Sequence, residues 1–125
     1  MNSLAQFFQK EDLVYLATLN PHLFNLTNEE VDKAIANLES LGCEREEVKE
    51  IIYENPFYLE ITEEDFKELI NSLSSLNLLD YGELFISNPH LLSVVPSDLA
   101  RFINEFKSIG LDEDAIIDKL QNGEY

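Results

Sequence analysis

The sequence predicts an all-α fold, a short α-solenoid of helix-pair repeats. Three observations carry that expectation. The dipeptide Asn-Pro occurs three times, as Asn20-Pro21, Asn55-Pro56 and Asn88-Pro89, at spacings of 35 and 33 residues. Each copy opens a similar block, and self-similarity at such a period is the mark of stacked supersecondary units. Each block then carries apolar residues at i, i+3, i+4, i+7 and i+10, the spacing of a helix with one buried face. No stretch shows the alternation of a strand. The expected organisation is one domain, 1–125, with a capping helix at 1–19, repeats at 20–54, 55–87 and 88–120, and a frayed tail at 121–125.

The elements follow in order. Leu4 to Leu19 reads as one helix that runs into Asn20-Pro21. In register, Leu13, Val48 and Tyr81 match, as do Leu16, Ile51 and Leu84. The first helix therefore corresponds to the closing helix of a repeat whose opening helix is missing. The residue before a proline is pushed out of the α region, so each closing helix stops at or before Asn. The few apolar residues after proline are too short for an α-helix and predict a 3₁₀ turn.

The opening helices have signed starts. Thr27-Asn28-Glu29-Glu30 is a capping box, and Thr62-Glu63-Glu64-Asp65 is nearly one. The third repeat has Pro96 at the first helical position, where a missing N–H costs nothing. The apolar stripes are Val31, Ala34, Ile35, Leu38, Leu41; Phe66, Leu69, Ile70, Leu73, Leu76; and Leu99, Phe102, Ile103, Phe106, Ile109. These helices are expected to end at Gly42, Asn77 and Gly110, residue types that accept the left-handed C-cap conformation. Closing helices follow over Arg45 to Glu54 and Glu113 to Leu120, the latter capped by Asp112. The middle closing helix is shorter and contains Gly82, which predicts the weakest of the set. The total is seven helices.

The block Asn-Pro, two apolar residues, an acidic helix start, and Leu-Gly before a second helix resembles the repeat of the mitochondrial transcription termination factor (mTERF) family. The anchors are Pro21, Leu41-Gly42, Pro56, Leu76, Pro89 and Ile109-Gly110, and the resemblance spans about residues 13–120. It implies two antiparallel helices and a short 3₁₀ helix per repeat, stacked into a solenoid that holds duplex nucleic acid on a basic side.

Composition argues differently. The chain has 25 acidic and 8 basic residues, a formal charge of −17. About −8 falls in residues 1–62 and about −9 in 63–125. A field of that sign repels phosphate and anionic lipid and attracts basic surfaces. On charge, the expected function is a non-enzymatic acidic module that engages a basic protein surface, in a sharper form a nucleic-acid mimic. Nucleic acid is the less favoured partner on this reading, and no membrane partner is expected. The alternative is an mTERF-like nucleic-acid binder acting in transcription or its regulation. A lone cysteine, Cys43, suits a reducing compartment. Without a signal or transit pattern at the N-terminus, the expected location is cytoplasmic.

The candidate partner-binding residues are acids at helix starts: Glu29 and Glu30; Glu44, Glu46 and Glu47; Glu63, Glu64 and Asp65; Asp112, Glu113 and Asp114. Acids there also answer the helix dipole, by about 0.3–1 kcal/mol each. In the alternative reading the contacts are Lys33, Lys67, Arg101 and Lys107, on the exposed sides of the opening helices. Asp112-Glu113-Asp114 lacks the pattern of a calcium loop, so no metal is expected, nor any cofactor. His22 and His90 share one repeat position, filled by Phe57 in the middle repeat, which marks a packing or turn position and not a catalytic one. Tyr15, Tyr53, Tyr58, Tyr81 and Tyr125 are candidates for hydroxyls exposed at an interface.

Overall fold

The computed structural model describes residues 3–78 and 80–125. Among them are seven α-helices and four 3₁₀ turns. The fold is all-α, a succession of helix pairs set off by 3₁₀ turns, which is the α-solenoid repeat class. The chain divides into two compact units, Met1–Ile61 and Thr62–Tyr125.

The first unit begins with a 3₁₀ turn, Ser3–Gln6, followed by α1 (Lys10–Leu19). The single helix expected over Leu4 to Leu19 is therefore broken. Gln9 is extended, at φ −73° and ψ 163°. In an unbroken helix, Glu11 and Asp12 would continue the stripe of Leu4, Phe7 and Phe8. The break lets those three bury while Leu13 and Leu16 start a new buried face. The Arg45 guanidinium covers the Phe7 ring at 4.3 Å from its centroid.

After Asn20-Pro21 come a 3₁₀ turn, Leu23–Asn25, then α2 (Asn28–Ser40), α3 (Arg45–Glu54) and a second turn, Pro56–Glu60. The capping box is complete. Thr27 Oγ1 accepts from the Glu30 N–H at 3.1 Å, and the Glu30 carboxylate accepts from the Thr27 N–H at 3.1 Å. Val31, Ala34, Ile35 and Leu38 bury against the turn at Pro56–Glu60 and against α3. Tyr58 fills this core. It is 1% exposed, and its hydroxyl donates to the Ala34 carbonyl at 2.6 Å. The expectation of an interface hydroxyl at Tyr58 is thereby corrected: the turn after Asn-Pro drives the ring inward.

The second unit comprises α4 (Glu63–Leu73), α5 (Tyr81–Ser87), a 3₁₀ turn (Pro89–Ser93), α6 (Pro96–Ser108) and α7 (Glu113–Gln121). Helix α4 packs on α6, and α5 on α7. Thr62 accepts from the Asp65 N–H at 3.1 Å, Asp80 caps α5, and Asp112 accepts from the Ala115 N–H at 2.9 Å. Helix α5 is the shortest of the seven, and its Gly82 is buried.

Three expectations are corrected in this unit. Helix α4 ends at Leu73, short of Asn77, and no described non-glycine residue has a positive φ. Lacking a glycine there, the chain leaves through right-handed turns, and the Asn77 amide donates to the Glu113 carboxylate at 3.3 Å. Ile109 lies at the C-cap of α6, beyond the buried face, and is 72% exposed. The tail is tied down: the Tyr125 ring stacks on Phe102 at 5.4 Å, and its hydroxyl receives the Asn88 amide at 3.3 Å.

Gly42 and Gly110 do take the left-handed conformation, at φ 96° and 94°, with open space where a Cβ would stand. Replacing either with alanine adds backbone strain and no clash. Each variant should lose about 1–2 kcal/mol, read as a lower thermal midpoint; an unchanged midpoint would show that the cap rearranges without strain.

Candidate functional site

Asn20, Asn55 and Asn88 are the buried polar residues among those described. The Asn20 amide donates to the Glu60 carboxylate at 3.1 Å and lies 3.5 Å from the Pro56 carbonyl, while its Oδ1 accepts from the His22 N–H at 3.1 Å. The Asn88 amide donates to the Leu120 carbonyl at 2.8 Å. Each of these two amides therefore reaches the far end of its own repeat or the turn just beyond it. They set the spacing of the helix pairs, and so the spacing of whatever the helices display.

The opening helices display four of the eight basic residues. Lys33 is exposed on α2. In the second unit α4 and α6 are packed neighbours, and they carry exposed Lys67, Arg101 and Lys107. The Ser72 hydroxyl is shared between the Glu68 carbonyl at 2.9 Å and the Pro96 carbonyl at 3.1 Å, which joins the two helices. A shallow cleft of about 330 Å³ lies there, lined by Glu68, Asn71, Ser72, Pro96, Ser97 and Ala100. Lys67 pairs with Glu63 at 3.7 Å, and Arg101 with Asp98 at 3.3 Å. Exposed pairs of this kind contribute about 0–1 kcal/mol, so a phosphate competes for both cations at little cost.

The acids predicted as partner-binding residues stand at the starts of α2, α3, α4 and α7, and several have local work. Glu30 completes its capping box. The Glu47 carboxylate accepts from the Glu44 N–H at 2.8 Å. Asp112 is an N-cap, and Glu113 receives Asn77. Glu29, Glu46, Glu64 and Asp114 lie in first turns, where the helix dipole favours them. Acids also line a cleft of about 350 Å³ in the first unit, where Asp12, Glu46, Glu50 and Glu54 surround Lys49, Phe8 and Tyr53.

Among the described residues, no group of three or more His, Cys, Asp or Glu side chains is placed to hold a metal. His22 and His90 are exposed on turns. No described helix is long and apolar enough to cross a membrane. The Tyr58 phenol is pushed well above its ordinary value by burial and, secondarily, by its electrostatic interaction with Cys43.

A family model described as mTERF matches residues 5–120. No curated protein and no solved structure matches. The match corrects two expectations. Nucleic acid is not the disfavoured partner, because mTERF proteins are characteristically nucleic-acid-binding. Net charge misleads here because it sums over the whole surface, whereas an exposed charge acts over about 8 Å at physiological ionic strength. The expected cytoplasmic location also gives way, since the family designation implies a mitochondrial one. A single cysteine reports on redox state, and any compartment that keeps thiols reduced satisfies it.

Proposed function

The chain belongs to the mTERF family, and from that premise we propose that it binds duplex nucleic acid without catalysing a reaction, as a factor in transcription or its regulation. The family match over residues 5–120 is the observation that carries this reading. In the first unit the phosphate contact is Lys33, on the exposed side of α2; in the second unit the contacts are Lys67, Arg101 and Lys107, on the exposed sides of α4 and α6. The carboxylates at the helix starts repel the backbone and confine its approach to those sides. The chain acts as one domain of three repeats, 1–125.

Fluorescence anisotropy with duplex DNA and duplex RNA at low salt tests the reading. Three or four phosphate contacts give a log–log salt slope of about −3. Glu63→Gln with Asp98→Asn frees Lys67 and Arg101 from their pairs and should tighten binding about three- to tenfold. Lys67→Glu with Arg101→Glu should weaken it by about tenfold or more. If neither duplex binds at low salt, while a basic polypeptide is retained in a salt-sensitive way, the nucleic-acid reading is wrong.

A further inference from the structure

Helix α7 is followed by Asn122, as α1, α3 and α5 are followed by Asn20, Asn55 and Asn88. Asn122 stands 34 residues after Asn88, so the register of the repeat runs on into residues 122–125. Gly123, at φ 71°, turns the chain where proline turns it elsewhere. On this register Tyr125 is the equivalent of Tyr58, each standing three residues after its Asn. Their partners are equivalent too. Tyr58 donates to the Ala34 carbonyl at 2.6 Å, and Tyr125 stacks on Phe102 at 5.4 Å. Ala34 and Phe102 hold one and the same position of the opening helices. The residue just before that position is Lys33 on α2 and Arg101 on α6. In the middle repeat Leu91 replaces the tyrosine, and the residue before the matching Leu69 is Glu68. Tyrosine and base thus occur together in the first and third repeats and are lost together in the middle one.

We propose that Tyr125 is a positioning residue that holds Arg101 ready for a phosphate; this rests on the nucleic-acid reading above. The Arg101 guanidinium lies over the Phe102 ring, 5.2 Å from its centroid. Phe102 is only half-buried, and the Tyr125 ring stacks on it at an interplanar angle of 30°. The buried Asn88 amide donates to the Tyr125 hydroxyl at 3.3 Å. A line of contacts therefore runs from a buried amide through two rings to an exposed cation. Arg101 also pairs with Asp98 at 3.3 Å, but an exposed ion pair holds a long side chain weakly. An arginine laid on an aromatic face keeps its planar fork of donors free. Its rotamers are already restricted before a phosphate arrives, so less freedom is lost on binding. Without Tyr125, Phe102 loses the neighbour that fixes its ring, and Arg101 rests on a movable support.

Two measurements on the full chain decide the matter. The first is nitrogen relaxation of the Arg101 Nε–H in the free protein. Tyr125→Ala should lower its order parameter by about a quarter or more, while Tyr125→Phe, which keeps the ring, should leave it unchanged. Helical circular dichroism should stay the same in both, since residue 125 lies beyond α7. The second is duplex affinity by fluorescence anisotropy at low salt, run as a double-mutant cycle. Tyr125→Ala should weaken binding about three- to tenfold in the parent chain, and less than about 1.5-fold once Arg101 is replaced by alanine. A tyrosine with only a structural role would weaken both backgrounds equally. Equal losses overturn the proposal, as does an Arg101 Nε–H unmoved by Tyr125→Ala. A parent chain that binds neither duplex overturns the nucleic-acid reading and with it the purpose of the contact; the relaxation measurement, which needs no duplex, then decides the contact itself.

Discussion

Changing Asn20 to aspartate should destabilise the protein by about 3–5 kcal/mol at neutral pH, the scale of a buried charge left without a partner. The substitution keeps the size of the side chain, removes its donors and adds a negative charge. The amide now donates to the Glu60 carboxylate and faces the Pro56 carbonyl. A carboxylate in its place would oppose both oxygens. Protonation relieves the conflict, so the folded state holds the new proton more tightly than the unfolded chain does. The loss is then small near pH 4 and grows as pH rises. Asn20→Ala, which removes the bonds without adding charge, should lose about 2 kcal/mol, as should Asn88→Ala. Urea midpoints at two pH values separate these cases. An Asn20→Asp protein as stable at neutral pH as at pH 4 would show that the amide is not held against those oxygens.

The second large effect lies at the alkaline end. Tyr58 is buried against the Ala34 carbonyl, and its phenol is raised above the ordinary value of about 10. The folded state therefore keeps a proton that the unfolded chain releases. Its contribution is fully present below about pH 10 and is lost as pH climbs from there towards the folded value. The slope is about 1.4 kcal/mol per pH unit, so near pH 11.5 the protein should have lost about 2 kcal/mol from this group alone. Tyr58→Phe separates the two contributions of the hydroxyl. At pH 7 the variant should be about 1 kcal/mol weaker for want of one buried hydrogen bond. Above pH 11 it should equal or exceed the parent. Denaturant titrations at the two pH values must cross; parallel curves would mean that Tyr58 is not what limits alkaline stability.

The local grammar of the chain was readable because it depends on neighbouring residues. Thr27 with Glu30, Pro96 at a helix start, Gly42 at a helix end and a 3₁₀ turn at each Asn-Pro are events within four or five residues. The stripes Val31–Leu38 and Phe66–Leu73 follow from period alone. What escaped the reading depends on distant residues. Each Asn was read as punctuation before proline, yet the amide partners lie 36 to 40 residues on for Asn20 and 32 to 37 for Asn88. Ile109 fits its stripe by count, but a stripe ends where the neighbouring helix ends, and no local pattern carries that limit. The break after Phe8 was visible in principle: Glu11 and Asp12 fall on the face that Leu4 and Phe7 begin.

The buried amides also bear on how such a chain can vary in length. Between Asn20 and its acceptors lie α2 and α3, and between Asn88 and Leu120 lie α6 and most of α7. One residue inserted within a helix advances everything beyond it by 1.5 Å and turns it by about 100°. That shift carries the acceptor out of hydrogen-bond range. The connection at residues 42–44 can absorb an insertion as a looped-out residue and leave both helices in register. Deletions and insertions should therefore survive between helices and fail inside them, so that the chain can drift in composition while each repeat keeps its measured length.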